Sequence, residues 1–382
     1  MTFAQRTCHK SEDVQRSYSR PLFHHVSVAQ LRRAGLQAKH AAWQQIDQVV
    51  IFSIPLNVRF RGVTEREGVL LHGPFGWGEC APFWDYDAPT SARWLHSALS
   101  MATEEAPSAN RDHIPVNVTI PVVSPEEVVR RLQGAQGCST AKIKVADAAD
   151  EAQMKADEGR VRLVSEYLAE HYGDAANVRV DANCAWTVDQ AALTLSCLDS
   201  AATAVGGLQY AEQPVRTVAE LAALRARTQV PLAADESIRL AADPLAVRDL
   251  RAADVGVLKV APLGGVTKAL DLGGAMGLPL AVSSALDTSI GLAAGVALAA
   301  ALPELDLACG LGTGRLLAAD VVDDPLVPAT AHSPAGTLGV QQAQAIRRGP
   351  LTKNFARLEE STADRWIARM VQMSHFVDED TH

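Results

Sequence analysis

From residue 114 onward, apolar runs of four to six residues alternate with amphipathic stretches of ten to twenty. Candidate strands fall at 115–120, 141–145, 178–181, 207–210, 232–235, 255–259, 280–283 and 306–308. Eight such runs separated by helical spacing predict a parallel sheet, closed into a (β/α) barrel or left open and doubly wound. Ser124 and Thr187 each precede a helical stretch and carry an acid or amide three residues on, which predicts helix starts there. Upstream, apolar residues 49–52 and 68–72 flank a polar stretch from Arg59 to Glu67, the pattern of an antiparallel hairpin with a long loop. Residues 76–82 read as a third strand and 91–103 as a helix, so a small α+β unit is expected over 47–112. Residues 113–317 then form the barrel, and 318–382 pack back on the small unit.

Charge decides between barrel and open sheet. Lys142 and Lys144, Asp181, Glu212, Asp235 and Lys259 stand at or near the C-terminal ends of five successive runs. A barrel gathers all five ends at one mouth, whereas the outer strands of an open sheet would end too far from the central crevice to share a ligand. The expected fold class is therefore α/β, a TIM-type barrel of modified (β/α)7β form with an α+β capping domain.

Composition narrows the function. A net charge of −9 and a pI near 5.7 offer no general attraction to a phosphate backbone, so nucleic acid is excluded as a partner. The six cysteines are scattered, with no Cys-x-x-Cys pair, which reads as a reduced, cytoplasmic thiol set. Residues 290–302 are apolar but too short to span a bilayer, and no membrane partner is expected. The first 46 residues hold seven Lys/Arg against two acids and no sustained apolar run. They read as a disordered extension rather than a secretory signal, with a basic targeting peptide as the alternative. No protein partner is evident.

The strand-end residues suit proton transfer beside a metal. Residues i and i+2 of a strand share a face, so Lys142 and Lys144 both point inward, as do Arg179 and Asp181. A second cation nearby weakens an amine's hold on its proton, which makes Lys144 the candidate base and Lys142 its tuning partner. Asp181, Glu212 and Asp235 are hard oxygen donors suited to Mg2+, with Mn2+ as a substitute. The substrate class is a small-molecule carboxylate, whose second negative charge the metal would absorb when a proton leaves the α-carbon. Lys259 faces the site from the other side. Arg179 and Asn183 are candidates to orient substrate, and backbone near Ser283 and Gly310 is a candidate to bind a second carboxylate. The stretch 59–66 is a candidate flap over the mouth, or else a plain surface hairpin.

Lys-Ile-Lys, Val-Asp-Ala-Asn-x-x-Trp, Glu-Gln-Pro, Ala-Asp-Glu-Ser and Leu-Lys-Val resemble the enolase superfamily in its muconate-cycloisomerase-like branch, over residues 49–319. The resemblance implies that Lys144 is the acid/base lysine, that Asp181, Glu212 and Asp235 hold magnesium, and that Lys259 lies over the substrate ring in a cation–π arrangement. It is nearest to members that dehydrate a cyclohexadiene carboxylate bearing a succinyl arm to an aromatic product in menaquinone biosynthesis. In these, base and departing hydroxide share one face and the metal holds the enediolate. Relatives that racemise N-acylamino acids use the same two lysines and are the competing reading. Dipeptide epimerases usually carry Asp-x-Asp after the eighth strand, where this chain has Cys309, Gly310 and Leu311. A metal-binding barrel without catalysis is the reading from outside enzymology, and the paired buried lysines weigh against it.

Overall fold

The computed structural model describes residues 20–60, 62–148, 150–328 and 333–377. Its capping unit is a five-stranded sheet in the order β14-β1-β2-β3-β4. The N-terminal part comprises β1 (Leu22–Val26), α1 (Val28–Arg33), β2 (Gln48–Phe60), β3 (Val63–Gly73), β4 (Gly76–Cys80) and α2 (Ala88–Thr103). β14 (Ala356–Arg357) comes from the far end of the chain, as does α12 (Glu360–Ser374), which packs on α2. Trp43, Trp94 and Trp366 are buried together between the sheet and these helices.

Two expectations for this region need correction. Residues 20–46 are not an extension: Leu22 to Val26 pair antiparallel with Val49 to Ser53, and Trp43 is 1% exposed. The segment lacks an apolar run because β1 buries one residue on each face, Phe23 toward the barrel core and Val26 toward the cap core, while His25 between them is exposed. Residues 1–19 lie outside the described residues. The polar stretch 59–67 is likewise no long loop, since β3 begins at Val63 and Glu65 to Glu67 pair with residues 53–55 of β2. Its charged side chains belong to a strand whose Arg66 is buried, 2% exposed.

The barrel follows. β5 (His113–Pro115) and β6 (Val118–Ile120) precede α3 (Pro125–Gly134), and β7 (Thr140–Lys144) leads to α4 (Glu151–Tyr172). Next come β8 (Asn177–Asp181), α5 (Val188–Ala201), β9 (Leu208–Glu212), α6 (Val218–Arg225) and β10 (Leu232–Ala234). The short helices α7 (Glu236–Arg239) and α8 (Ala246–Asp249) lead to β11 (Val255–Leu258), α9 (Val266–Met276), β12 (Leu280–Val282) and α10 (Ser289–Ala301). Strands β6 to β12 form one parallel sheet in sequence order. Ser124 and Thr187 cap α3 and α5 through their hydroxyls.

The eighth run is not a regular strand at 306–308. Closure falls instead to Cys309 and Gly310, which bridge Val116 on one side and Ser283 on the other, so the seven-stranded sheet curls shut on a two-residue stave. Beyond the barrel, β13 (Thr337–Gly339) pairs with β5, and α11 (Val340–Arg348) packs on α10. The C-terminal segment is thus shared between barrel and cap. Among the described residues no helix is long and apolar enough to cross a membrane, and α10 is a buried helix.

Candidate active site

Strand register brings the charges together. Lys144 pairs with Asp181 and Asp181 with Glu212, so three strand ends present an amine and two carboxyl groups in one row. One layer below, Lys142 stands beside Arg179, and Arg179 beside Tyr210. Asp235 follows the next strand, and Lys259 the one after that. All five acids and lysines named here other than Lys144 are buried, Asp181, Glu212 and Asp235 to 1% exposure or less.

Burying so much charge requires pairing. Lys142 Nζ donates to both oxygens of Glu212 at 2.9 Å and lies 3.4 Å from Asp181 Oδ2. Lys144 Nζ donates to the same Asp181 oxygen at 2.5 Å and to Asn183 Oδ1 at 2.8 Å. Across the mouth, Lys259 Nζ donates to Asp235 Oδ2 at 2.6 Å, and Arg239 Nε to Asp235 Oδ1 at 2.9 Å. Burial alone would raise the Asp181 carboxyl, but Lys144 and Lys142 hold it well below the usual carboxylate range. Asp235 is likewise low, because Arg239 and Lys259 outweigh its burial. Glu212 goes the other way: burial pushes it up to about 7, with Lys142 opposing and the charges of Asp181 and Asp235 adding to the rise. Burial would lower the Lys142 ammonium, yet Glu212 and Asp181 raise it above the ordinary lysine value, so it is a fixed positive charge.

The three acids suit a hard divalent cation. They are all carboxylates, they come from adjacent strand ends, and the repulsion felt at Glu212 is what a dication would relieve. Their inward oxygens are turned onto ammonium groups. Accordingly, among the described residues no three acids, imidazoles or thiols converge on one point.

The weaker candidates divide. Asn183 sits at the mouth in a left-handed turn, φ 46°, bonded to Lys144 and, through its amide at 3.4 Å, to Glu236. Arg179 does not reach the mouth. It is fully buried, donates to the carbonyl of Ala308 at 2.6 Å and to Gln209 at 2.6 Å, and stacks over Tyr210. Two residues back along the strand is one layer deeper, and at that depth Arg179 braces the eighth stave. Gly310 also serves closure: its N–H donates to Val282 at 2.7 Å, and a Cβ there would lie 2.5 Å from Ser283 Oγ. That N–H is therefore committed to the barrel ladder rather than open to a carboxylate.

Several residues of the site escaped the sequence reading. Arg239 was legible in principle, one helical turn after Asp235. Gln213, adjacent to Glu212, accepts the N–H groups of Asp235 and Ser237, fixing the turn that presents Asp235. The cap supplies two more. Arg66 donates to the carbonyls of Leu286, Ala285 and Ala81. Glu79 accepts from Thr288 and Gly291 at the start of α10. Leu286, at φ 64°, packs with Leu316 against Leu56, Val58, Val63 and Phe83, so the β2–β3 hairpin does lie over the barrel mouth.

Similarity to known proteins agrees with this geometry. An enolase N-terminal-domain-like family model matches residues 51–102, and an enolase C-terminal-domain-like model matches 126–338. The o-succinylbenzoate synthase of Thermobifida fusca is 52% identical over 292 residues, 76% of this chain and 88% of that protein. The o-succinylbenzoate synthase of Mycolicibacterium smegmatis is 50% identical over 283 residues, 74% and 84% of the two. Among solved structures, the L-Ala-D/L-Glu epimerase of Bacillus subtilis superposes with a TM-score of 0.61 at 22% identity, covering 77% of this chain and 95% of that one. The muconate lactonizing enzyme of Pseudomonas fluorescens gives 0.61 at 21% identity, covering 84% and 99%. At those identities the structures speak for the fold alone.

Proposed function

Given that the chain belongs to the enolase superfamily and within it to the o-succinylbenzoate synthases, we infer that it dehydrates 2-succinyl-6-hydroxy-2,4-cyclohexadiene-1-carboxylate to 2-succinylbenzoate, a step of menaquinone biosynthesis. The observation that carries the residue roles is the register of β7, β8 and β9, with Lys259 and Asp235 facing that row.

Asp181, Glu212 and Asp235 would hold the divalent metal, Mg2+ or Mn2+. When bound, it supplies positive charge against the second negative charge that forms on the substrate carboxylate, an effect worth several kcal/mol, roughly the scale of one preorganised charge contact. Lys144 takes the proton from the carbon α to the carboxylate, and the electron pair of that C–H bond moves toward the carboxylate. The same Nζ then returns the proton to the departing hydroxide on the same face, so one water leaves and the ring becomes aromatic. Asn183 holds Lys144 at a second acceptor and limits its swing. Lys142 remains an ammonium throughout, and its charge favours the ionised forms of Glu212 and Asp181. Lys259, anchored by Asp235, places a positive charge opposite the base.

Incubation with the cyclohexadiene substrate tests the reading. Conversion is expected with Mg2+ or Mn2+, to cease on chelation and to resume on adding metal back. Lys144→Ala is expected to lower kcat by at least about 10³-fold while divalent-metal binding, followed by calorimetry, persists. Racemisation of N-succinyl amino acids without any dehydration would overturn it.

A further inference from the structure

The base is held by its backbone as well as its side chain. Helix α4 turns a buried ion pair toward the end of β7: Asp157 is 2% exposed, Arg160 is 7% exposed, and they bond at 2.7 Å. A buried pair of this kind gives little net stability, because desolvation offsets the attraction. The structure shows what else it does. Arg160 Nη1 donates to the carbonyl of Lys144 at 3.2 Å, and Asp157 Oδ2 accepts the N–H of Ala146 at 2.8 Å. Asp157 Oδ1 is steadied further by Gln153 at 2.8 Å. Between them, Val145 donates to the carbonyl of Asp181 at 3.1 Å. Three consecutive residues are thus pinned where the strand ends. Ala146 has φ 63°, a conformation that is strained for a residue with a Cβ and persists only when its surroundings enforce it.

We propose that Asp157 and Arg160 are positioning residues for proton transfer: the pair fixes the strained turn after Lys144 and so sets where its amine meets the substrate. The inference rests on the reading of Lys144 as the base. Releasing the turn would let the end of β7 shift, and a displacement of about 1 Å in a reacting group costs roughly 10²-fold in rate.

The test uses the full chain with Mg2+ and substrate carrying protium or deuterium at the α-carbon. Asp157→Ala is expected to lower kcat about 10- to 100-fold with KM changed less than about threefold, and to raise the primary isotope effect on kcat because proton transfer has become slower. Adding Ala146→Gly, which adopts the left-handed turn without strain, is expected to recover most of the loss. Asp157→Asn, nearly isosteric, is expected to show the same isotope signature more mildly, and it decides the matter if Asp157→Ala does not fold. An unchanged kcat and isotope effect would overturn the proposal, as would a kcat loss with unchanged isotope effect and no rescue by glycine. Lys144→Ala, run in parallel, separates the two readings. Dehydration surviving in that variant removes the base itself, whereas a dead Lys144→Ala beside unaffected Asp157 variants removes only the positioning role.

Discussion

Glu79 shows how one buried carboxyl ties the cap to the barrel. Burial, with Asp287 adding and Arg66 opposing, pushes it up to about 7 from an ordinary 4.5, although Thr288 donates to it. A carboxyl whose folded value is raised contributes stability that is complete below about 4.5 and is lost as pH rises through about 7. The melting temperature of Glu79→Gln is therefore expected to change less between pH 5 and pH 8 than that of the parent, and equal pH dependence in calorimetric melts would refute the assignment. Among single residues, Lys144, Asp181, Glu212 and Asp235 were legible because a charge inside an apolar strand run is costly without a partner. Arg66 and Glu79 were not, for they meet residues 220 and 209 positions away, and no local pattern encodes such a meeting. The depth of Arg179, a layer below the mouth, was hidden for a related reason: alternation gives the face of a strand residue but not how far down the barrel it sits.

Among elements, helix α10 has an unusual start. Glu79 accepts the N–H groups of Thr288, the cap residue, and of Gly291 in the first turn, and Asp320 accepts that of Ser289, so two carboxyl groups satisfy amide groups that a helix leaves unpaired. Glycine at 291 makes room for this docking, since a Cβ there would lie 2.7 Å from that of Asp287 and 2.9 Å from Glu79 Oε2. Gly291→Ala is expected to destabilise by about 2 kcal/mol or more, read from denaturant midpoints, despite alanine's better helix propensity. The strands β7 to β9 were legible in the sequence to within a residue or two. Cys309 and Gly310 were not, because a two-residue stave presents no run. β1 stayed hidden because a strand displaying His24 and His25 does not look apolar.

The whole molecule places the site under a roof made from both ends of the chain. β1 lies between β2 and β14, and α12 contributes Trp366, Met370 and Met373, each fully buried, to the cap core. From α12, Arg369 donates to the carbonyls of Pro82, Phe83 and Tyr86, fixing the segment whose Phe83 packs over the mouth. A chain ending at Leu358 is expected to lose at least about 4 kcal/mol of stability, on the scale of about 1.5–3 kcal/mol for each large apolar side chain. Its KM is expected to rise more than kcat falls, which steady-state kinetics on any folded fraction would check. Barrel class was readable from the alternation together with the charges at five successive strand ends, whereas this joining of the two ends was not, since no local pattern links segments so far apart in sequence.

That arrangement has a consequence for biosynthesis. A ribosome releases every stave of the barrel, and every charged group at its mouth, before it makes the helix that secures the roof. Until those last turns emerge, Trp43 and Trp94 have no tryptophan to close over them, and a nascent chain holds its complete set of reactive side chains beneath an unfinished cover.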